Sequence, residues 1–272
     1  MLKSPDHMRI IVCIKEIENP EIAASVFRVD EASNEVIPFG TRVTSPFDEQ
    51  AIEAALRIRD TQPCQITALT FGPVNAKAAI KRALSMGADD GVHTLDTGLE
   101  KADSIAVARV LAEVISKLGQ FDLILTGRQA ADWDSGIVGC GIAQLLHLPI
   151  VTLAKSVQVQ GGKVIVERVL DDGSETVAAT MPCVVTISNE LGEPRKPSLR
   201  ETMRAAKKPT HVQTIDAIGI DGAGLRADRE RIQVRKRLYI PTKEVNCELI
   251  SGDSAEQLAK EIVSKLSANK LI

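Results

Sequence analysis

Aromatic residues are scarce in this chain of 272 residues, which has five Phe, one Tyr and one Trp. Binders of single-stranded nucleic acid stack bases on clustered aromatic side chains, so that class is disfavoured at once. Charge of one sign is also lacking. Lys and Arg number 33 against 36 Asp and Glu, a formal net charge of −3, whereas a nucleic-acid footprint needs a basic surplus. No apolar run approaches the ~20 residues of a membrane span. The opening MLKSPDHMRIIVCIK has too short an apolar core for a signal peptide. The five cysteines (Cys13, Cys64, Cys140, Cys183 and Cys247) are odd in number, scattered and without CxxC spacing. They form neither a disulfide framework nor a zinc or iron–sulfur set, and fit a reduced, cytoplasmic compartment.

What is present is an alternation of strand-like and helix-like runs. RIIVCIK (Arg9–Lys15) reads as a buried strand. SPFDEQAIEAALRIRD reads as a helix with Ser45 as cap candidate and Pro46 at its first position. Asp48 and Glu49 fall in its first turn, and Ala51, Ala54, Ala55 and Ile58 form the apolar stripe. A second strand covers Gln65–Pro73 and a second helix Asn75–Met86, stopped by Gly87. GVHTL is a third strand. Asp103 caps a third helix running to about Leu118, and FDLILTG is a fourth strand. Such βαβα order predicts a mostly parallel α/β sheet with helices on both faces. After Pro149 the pattern changes to period-two alternation around Gly161–Gly162, with a further turn at Asp171–Gly173, which predicts an antiparallel hairpin excursion. PCVVTISNE returns a buried strand, followed by a proline-interrupted loop (Leu191–Leu199) and a short basic helix, ETMRAAKKP. SAEQLAKEIVSKL opens with Ser254 and Gln257 at capping-box spacing, and its face of Leu258, Ile262 and Leu266 is too short to be a stable helix alone. The expected organisation is a loose extension over 1–7, an α/β domain over 8–218, a polar linker over 219–235 and a C-terminal arm over 236–272.

Phe121 to Pro149 (FDLILTGRQAADWDSGIVGCGIAQLLHLP) carries most of the functional signal. A strand breaks at Gly127 into a polar loop, which feeds a glycine-rich helix start at about Gly136. Free amides and the positive end of a helix dipole suit a phosphate there. The spacing is neither GxGxxG nor GxxxxGK[ST]. Ligands of open parallel sheets sit at the carboxyl ends of the strands, here Lys15–Glu16, Phe71–Pro73 and Gly127–Ser135. Lys15 and Arg128 are placed to neutralise a phosphate, or else are solvated strand-end charges. Asp132 and Asp134 fit an acid–base or Mg²⁺ pair, and fit a helix or loop cap better. His7, His93, His147 and His211 fall on no triad or metal spacing, with His147 placed at a helix end. Cys140 reads as packing, and no nucleophile motif occurs, so no catalytic or metal-binding residue is assigned. Leu191 stands out on its polar loop. It is either an anchor for a partner's pocket, with Arg195 and Lys196 on the rim, or a residue folded back on its own domain.

Several blocks in register, namely VCIK, SPFDEQAIEAALR, ALTFGP, ALSMGADDGVH, LILTGRQAADWDSG and NELGEPRKPSL, carry a resemblance. From about Met8 to Lys208, and more weakly in the C-terminal arm, the chain resembles the beta subunit of electron transfer flavoproteins, a group that includes the FixA proteins. It departs from that pattern at Trp133, at Ile137 where Gln is common, at Ser45 where Asn is common, and at Lys196 where Tyr is common.

The resemblance implies a Rossmann-like fold of the adenine nucleotide alpha-hydrolase type. It implies a heterodimer with an alpha subunit that holds the redox FAD, while this chain binds AMP, or a second FAD in its place in electron-bifurcating, NADH-oxidising members. By motif matching, the nucleotide would meet Cys13, Lys15, Ser45, Pro46, Phe47, Asp48, Phe71 and the run Gly127, Arg128, Gln129, Ala130, Ala131, Asp132, Trp133, Asp134, Ser135, Gly136, Ile137, Val138. The amides of Ser135–Val138 would meet the phosphate. Glu190, Leu191, Gly192, Glu193, Pro194 and Arg195 match the family's docking loop, with Leu191 as its recognition leucine. Implied partners are the alpha subunit, flavin dehydrogenases such as acyl-CoA dehydrogenase, and a quinone-linked oxidoreductase. No role in bond-making chemistry is implied, nor binding to nucleic acid or insertion into a membrane. The C-terminal arm would pack on the alpha subunit's FAD domain. A lone nucleotide binder of the universal-stress type is the remaining alternative, and the orphan apolar face of the arm argues against it.

Overall fold

The computed structural model describes residues 7–23, 26–30, 35–37, 40–96, 103–222, 224–225 and 247–272. The chain divides into two compact units, Met1–Gln233 and Val234–Ile272. The first unit begins with β1 (Met8–Cys13), β2 (Glu16–Glu18), β3 (Val29–Asp30), β4 (Glu35–Val36) and β5 (Arg42–Thr44). Next come α1 (Pro46–Thr61), β6 (Cys64–Gly72), α2 (Lys77–Met86), β7 (Asp90–Leu95), α3 (Ser104–Lys117), β8 (Leu123–Gly127) and α4 (Val138–Leu145). It closes with β9 (Ile150–Gln160), β10 (Lys163–Leu170), β11 (Gly173–Thr180), β12 (Cys183–Ile187), α5 (Leu199–Ala205) and β13 (Thr210–Thr214).

The main sheet has nine strands in the order β11-β10-β9-β12-β8-β1-β6-β7-β13. All neighbours from β9 to β13 pair in parallel, and β10 and β11 are added antiparallel, as the hairpin pattern predicts. The near-continuous apolar runs of β1, β8 and β12 follow from burial on both faces. On one face α1 and α2 cover Ile10, Ile66 and Leu125 with Ile52, Leu56 and Ile80. On the other, α3 and α4 cover Ile11, Leu69 and Ile124 with Val110, Val114 and Ile142. Asp103 caps α3 by accepting from the amides of Ile105 and Ala106, and Gly87 ends α2 at φ 142°, a conformation open to glycine.

Two local expectations are corrected. Ser45 occupies the cap position of α1, but its hydroxyl makes no cap bond. Cys140 is exposed, because α4 buries Gly139, Ile142 and Ala143 instead. A β-carbon on Gly139 would lie 2.7 Å from Thr126 Oγ1, and one on Gly141 2.7 Å from Ala108 Cβ, so close approach calls for glycine at both positions of α4. The strand β13, which pairs with β7, and the small β2–β5 sheet lie in stretches with no clear period.

The second unit holds α6 (Ala255–Ala268). Ser254 Oγ accepts from the Gln257 amide at 3.2 Å, one half of the expected box. No residue of α6 is buried, and Ile262 and Val263 are exposed. Residues 1–6 of the expected extension, 223 and 226–235 of the expected linker, and 236–246 of the expected arm lie outside the described residues. No described helix is long and apolar enough to cross a membrane.

Candidate functional site

The chain runs β1, β6, β7 to one side of the sheet and then crosses to β8 on the other side of β1. The carboxyl ends of β1 and β8 therefore flank a topological switch point, where open α/β sheets bind their ligands. Asp48, in the first turn of α1, spans that point. Its Oδ2 accepts from the Lys15 amide at 2.8 Å and its Oδ1 from the Gly127 amide at 3.1 Å. Burial pushes the Asp48 carboxyl up to about 7; the two amide bonds and the Lys15 charge oppose this, and the Asp132 charge adds to it. Gly127 is required by close approach, since a β-carbon there would lie 2.5 Å from Asp48 Oδ1 and 2.9 Å from the Phe47 backbone. Asp48 thus acts as an internal staple between two strand ends, with both oxygens engaged by the chain.

Around the staple lie groups that lack partners. The Ser45 amide donates to the Lys15 carbonyl at 2.9 Å, yet its hydroxyl is buried with no partner among the described residues. Arg128 stacks over the Phe47 ring at 5.0 Å and donates to Ser188 Oγ at 3.4 Å, while its Nε is buried and unpartnered. The helix α4 has no side-chain cap. No described protein acceptor meets the amides of Ser135, Gly136 and Ile137. Asp134 and Gly136 take left-handed φ values of 51° and 63°, and alternating handedness of this kind turns successive N–H groups towards one side. An uncapped helix start, a run of free amides and a guanidinium short of acceptors make a cradle for an anion. The buried hydroxyl offers one further polar contact beside it. These observations fit a nucleotide phosphate.

The loop Arg128–Ile137 is braced by its own side chains. Lys15 Nζ lies 2.7 Å from Asp132 Oδ2, Gln129 Nε2 donates to Asp134 Oδ1 at 2.8 Å, and Ser135 Oγ meets Ser104 Oγ at 2.7 Å. The expected cap role of Asp132 and Asp134 is therefore corrected, since neither accepts from the start of α4. Trp133 is 80% exposed and Ile137 is exposed too, so neither residue packs within this unit. Ala130 anchors the loop's turn by accepting from the amides of Asp134 and Trp133 at 2.9 and 3.4 Å. The Cys13 side chain belongs to the core, with the half-buried Phe71 packed against that core, and burial pushes the Cys13 thiol well above its ordinary range, so only backbone could face a ligand at Cys13.

The loop after β12 departs further from expectation. Leu191 sits in a 3-10 turn (Asn189–Leu191), is 6% exposed and belongs to the core, so it folds back on its own domain in this structure. Arg195 is likewise engaged by its own domain. Its amide, Nε and Nη2 donate to Glu53 at 3.1, 2.8 and 3.2 Å, and its Nη2 also meets Asp60 at 2.7 Å. Arg57 donates to Glu53 Oε1, which Arg195 Nη2 also meets, at 2.9 Å and to the Leu191 carbonyl at 2.8 Å. Burial pushes the Glu53 carboxyl up, but the Arg195 and Arg57 bonds outweigh it and hold it below its usual range. The exposed apolar residues here are Leu199, 78% exposed, and Met203 one turn later on α5. Arg200, Arg204 and Lys207 line the same surface. The helix starts with a full capping box between Ser198 and Glu201. That S-x-x-E spacing was the signal in the sequence that could have found it.

Comparison with known proteins agrees with this architecture. The family model described as "Electron transfer flavoprotein domain" matches residues 39–218. The chain is 33% identical over 269 residues to the caffeyl-CoA reductase-Etf complex subunit CarD of Acetobacterium woodii, covering 97% of this chain and 100% of the relative. It is 34% identical over 274 residues to the electron transfer flavoprotein subunit beta of Megasphaera elsdenii, covering 97% and 100%. The beta subunit of Mycobacterium leprae is 32% identical over 269 residues, covering 94% and 98%. With the nucleotide-type sheet, the polar loop after β8 and these likenesses in hand, the chain belongs to the electron transfer flavoprotein beta-subunit family.

Proposed function

We propose that this chain is the nucleotide-holding and partner-docking half of a heterodimeric electron carrier of the cytoplasm. Its alpha partner holds the redox FAD, and AMP occupies the crevice of this chain. Electrons pass from a flavin dehydrogenase, of the acyl-CoA type, to a quinone-linked acceptor. The observation that carries the reading is the group of unpartnered donors at the switch point: the Ser45 hydroxyl, Arg128 Nε and the open amides before α4.

In this account the chain's own residues bind and position, and none breaks or makes a bond. Arg128 and the amides of Ser135–Val138 bind the phosphate, and Asp48 keeps the two strand ends at the spacing the ligand needs. The redox chemistry is supplied by the flavin. The exposed pair Leu199 and Met203, set among cations, is the docking surface for an acidic-rimmed dehydrogenase pocket, in place of Leu191. The apolar face of α6 is covered by the alpha subunit.

A second reading has one observation in its favour, the likeness to a subunit of a caffeyl-CoA reductase-Etf complex. In that reading the crevice holds a second FAD and the assembly is electron-bifurcating. Denaturing the purified heterodimer and quantifying the released nucleotides separates the two. One FAD and one AMP per heterodimer supports the carrier, whereas two FAD and no AMP supports bifurcation.

A further inference from the structure

We propose that the Lys15–Asp132 ion pair is a selectivity device that limits the crevice to a nucleoside monophosphate. The inference rests on the nucleotide reading above and concerns which adenine nucleotide the site retains.

Two cations border the crevice. Lys15 follows β1, and its main chain is fixed on both sides, the amide by Asp48 at 2.8 Å and the carbonyl by Ser45 at 2.9 Å. Only its side chain can move, and its ammonium is held 2.7 Å from Asp132 on the opposite loop. Asp132 is the more buried partner, with 23% of its side chain exposed against 47% for Lys15. Arg128 is the other cation. It is in no ion pair among the described residues, and its contacts are a ring face and one hydroxyl. The second carboxylate of the loop, Asp134, is engaged by the neutral Gln129. Glu190 feels the Arg128 charge without pairing with it directly, so the site presents one guanidinium outside any direct ion pair and one uncapped helix start, which match a single phosphate.

A second phosphate adds about one more negative charge. If Lys15 turned to meet it, Asp132 would be left partly buried and unpaired beside the same anion. The gain from the new contact is cancelled by the loss of the old one and by repulsion from the freed carboxylate. Removing the Asp132 charge reverses this balance and leaves Lys15 free for a β-phosphate. Charges separated by about 8 Å near a surface, partly screened by salt, then shift relative affinity by about fivefold.

The test is competitive retention in the heterodimer. The complex is unfolded in guanidinium, freed of nucleotide and refolded with FAD for the alpha subunit and equimolar AMP and ADP. Retained nucleotides are quantified by chromatography. The wild type is expected to retain mainly AMP. Asp132→Asn should raise the ADP:AMP ratio about fivefold, and the double variant Lys15→Met/Asp132→Asn should return it to the wild-type value. Lys15→Met alone, which tests the same balance if Asp132→Asn fails to refold, should lower the ratio. An Asp132→Asn ratio within twofold of wild type, or a gain that persists without Lys15, overturns the selectivity role while AMP binding stands. Wild type that retains neither AMP nor ADP overturns the nucleotide reading itself if one FAD is bound per heterodimer, and overturns the monophosphate limit if two are.

Discussion

Replacing Arg195 by Ala should loosen the loop after β12 from the domain while leaving the sheet intact. The Arg195 side chain makes bonds of 2.8 and 3.2 Å to Glu53, which is only 4% exposed, and one of 2.7 Å to Asp60. Removing one member of a buried, hydrogen-bonded pair costs about 3–5 kcal/mol. Here Arg195 is itself 38% exposed and Arg57 still serves Glu53, so the cost falls to about 2–3 kcal/mol. Urea unfolding should show a lower midpoint with an unchanged slope. Limited proteolysis should cut within 192–198 in the variant well before the wild type. Glu53→Gln should cost a similar amount, and the double variant less than the sum. The Glu53 carboxyl is held below its ordinary 4.5 in the folded chain, so its contribution is complete above that value and is lost as pH falls through the lower folded value. A loss below about 0.5 kcal/mol for Arg195→Ala, the range of an ordinary surface substitution, would refute the clamp.

Four further outcomes follow from the same geometry. Gly127→Ala should destabilise by about 3 kcal/mol and abolish nucleotide retention, because the added carbon meets Phe47 backbone at 2.9 Å; a melting temperature within a degree or two of wild type would contradict this. Leu191→Ala should cost about 3 kcal/mol as a core truncation. Leu199→Glu and Met203→Glu should leave stability unchanged but weaken docking of an acyl-CoA dehydrogenase about tenfold or more, read by surface plasmon resonance. Asp48→Asn should cost about 1–3 kcal/mol at pH 5, since Asn cannot accept from both the Lys15 and Gly127 amides. The folded wild type holds its Asp48 proton up to about pH 7, against an ordinary value of 3.8, so the wild type loses stability as pH rises through that window. The Asn variant lacks that loss, so the gap measured by denaturation should narrow between pH 5 and pH 8.

The parts of this fold that were legible share one cause: their signal is local. Buried parallel strands such as β8 are short apolar runs whatever their neighbours, and Asp103 and Gly87 act within a few residues of where they stand. The strand ends named as a candidate crevice came from the βαβα alternation, whereas the switch point between β1 and β8 needed the strand order of the folded sheet. What was not legible depends on residues far apart in sequence. Whether Leu191 points out or in is decided by α1, where Glu53 looks like any acid on a helix until Arg195 arrives from 142 positions away. The exposure of Cys140 reflects a helix whose packed side sets glycines beside Ile142 and Ala143, at positions fixed by how closely the neighbouring elements approach. The roles of Asp132 and Asp134 depended on Lys15 and Gln129, and sequence spacing carries no information on the 2.7 Å contact with Lys15. The helix that carries the exposed pair Leu199 and Met203 had a visible marker in Ser198 and Glu201, but their exposure is a tertiary property.

The most direct test of the central claim is hydrogen exchange of the peptide covering 128–140 in the heterodimer, compared without ligand, with AMP and with adenosine. If the open amides before α4 bind a phosphate, AMP should slow exchange at Ser135–Val138 and adenosine should not. Equal exchange in all three conditions, with AMP bound by independent assay, would place the nucleotide elsewhere and contradict the account.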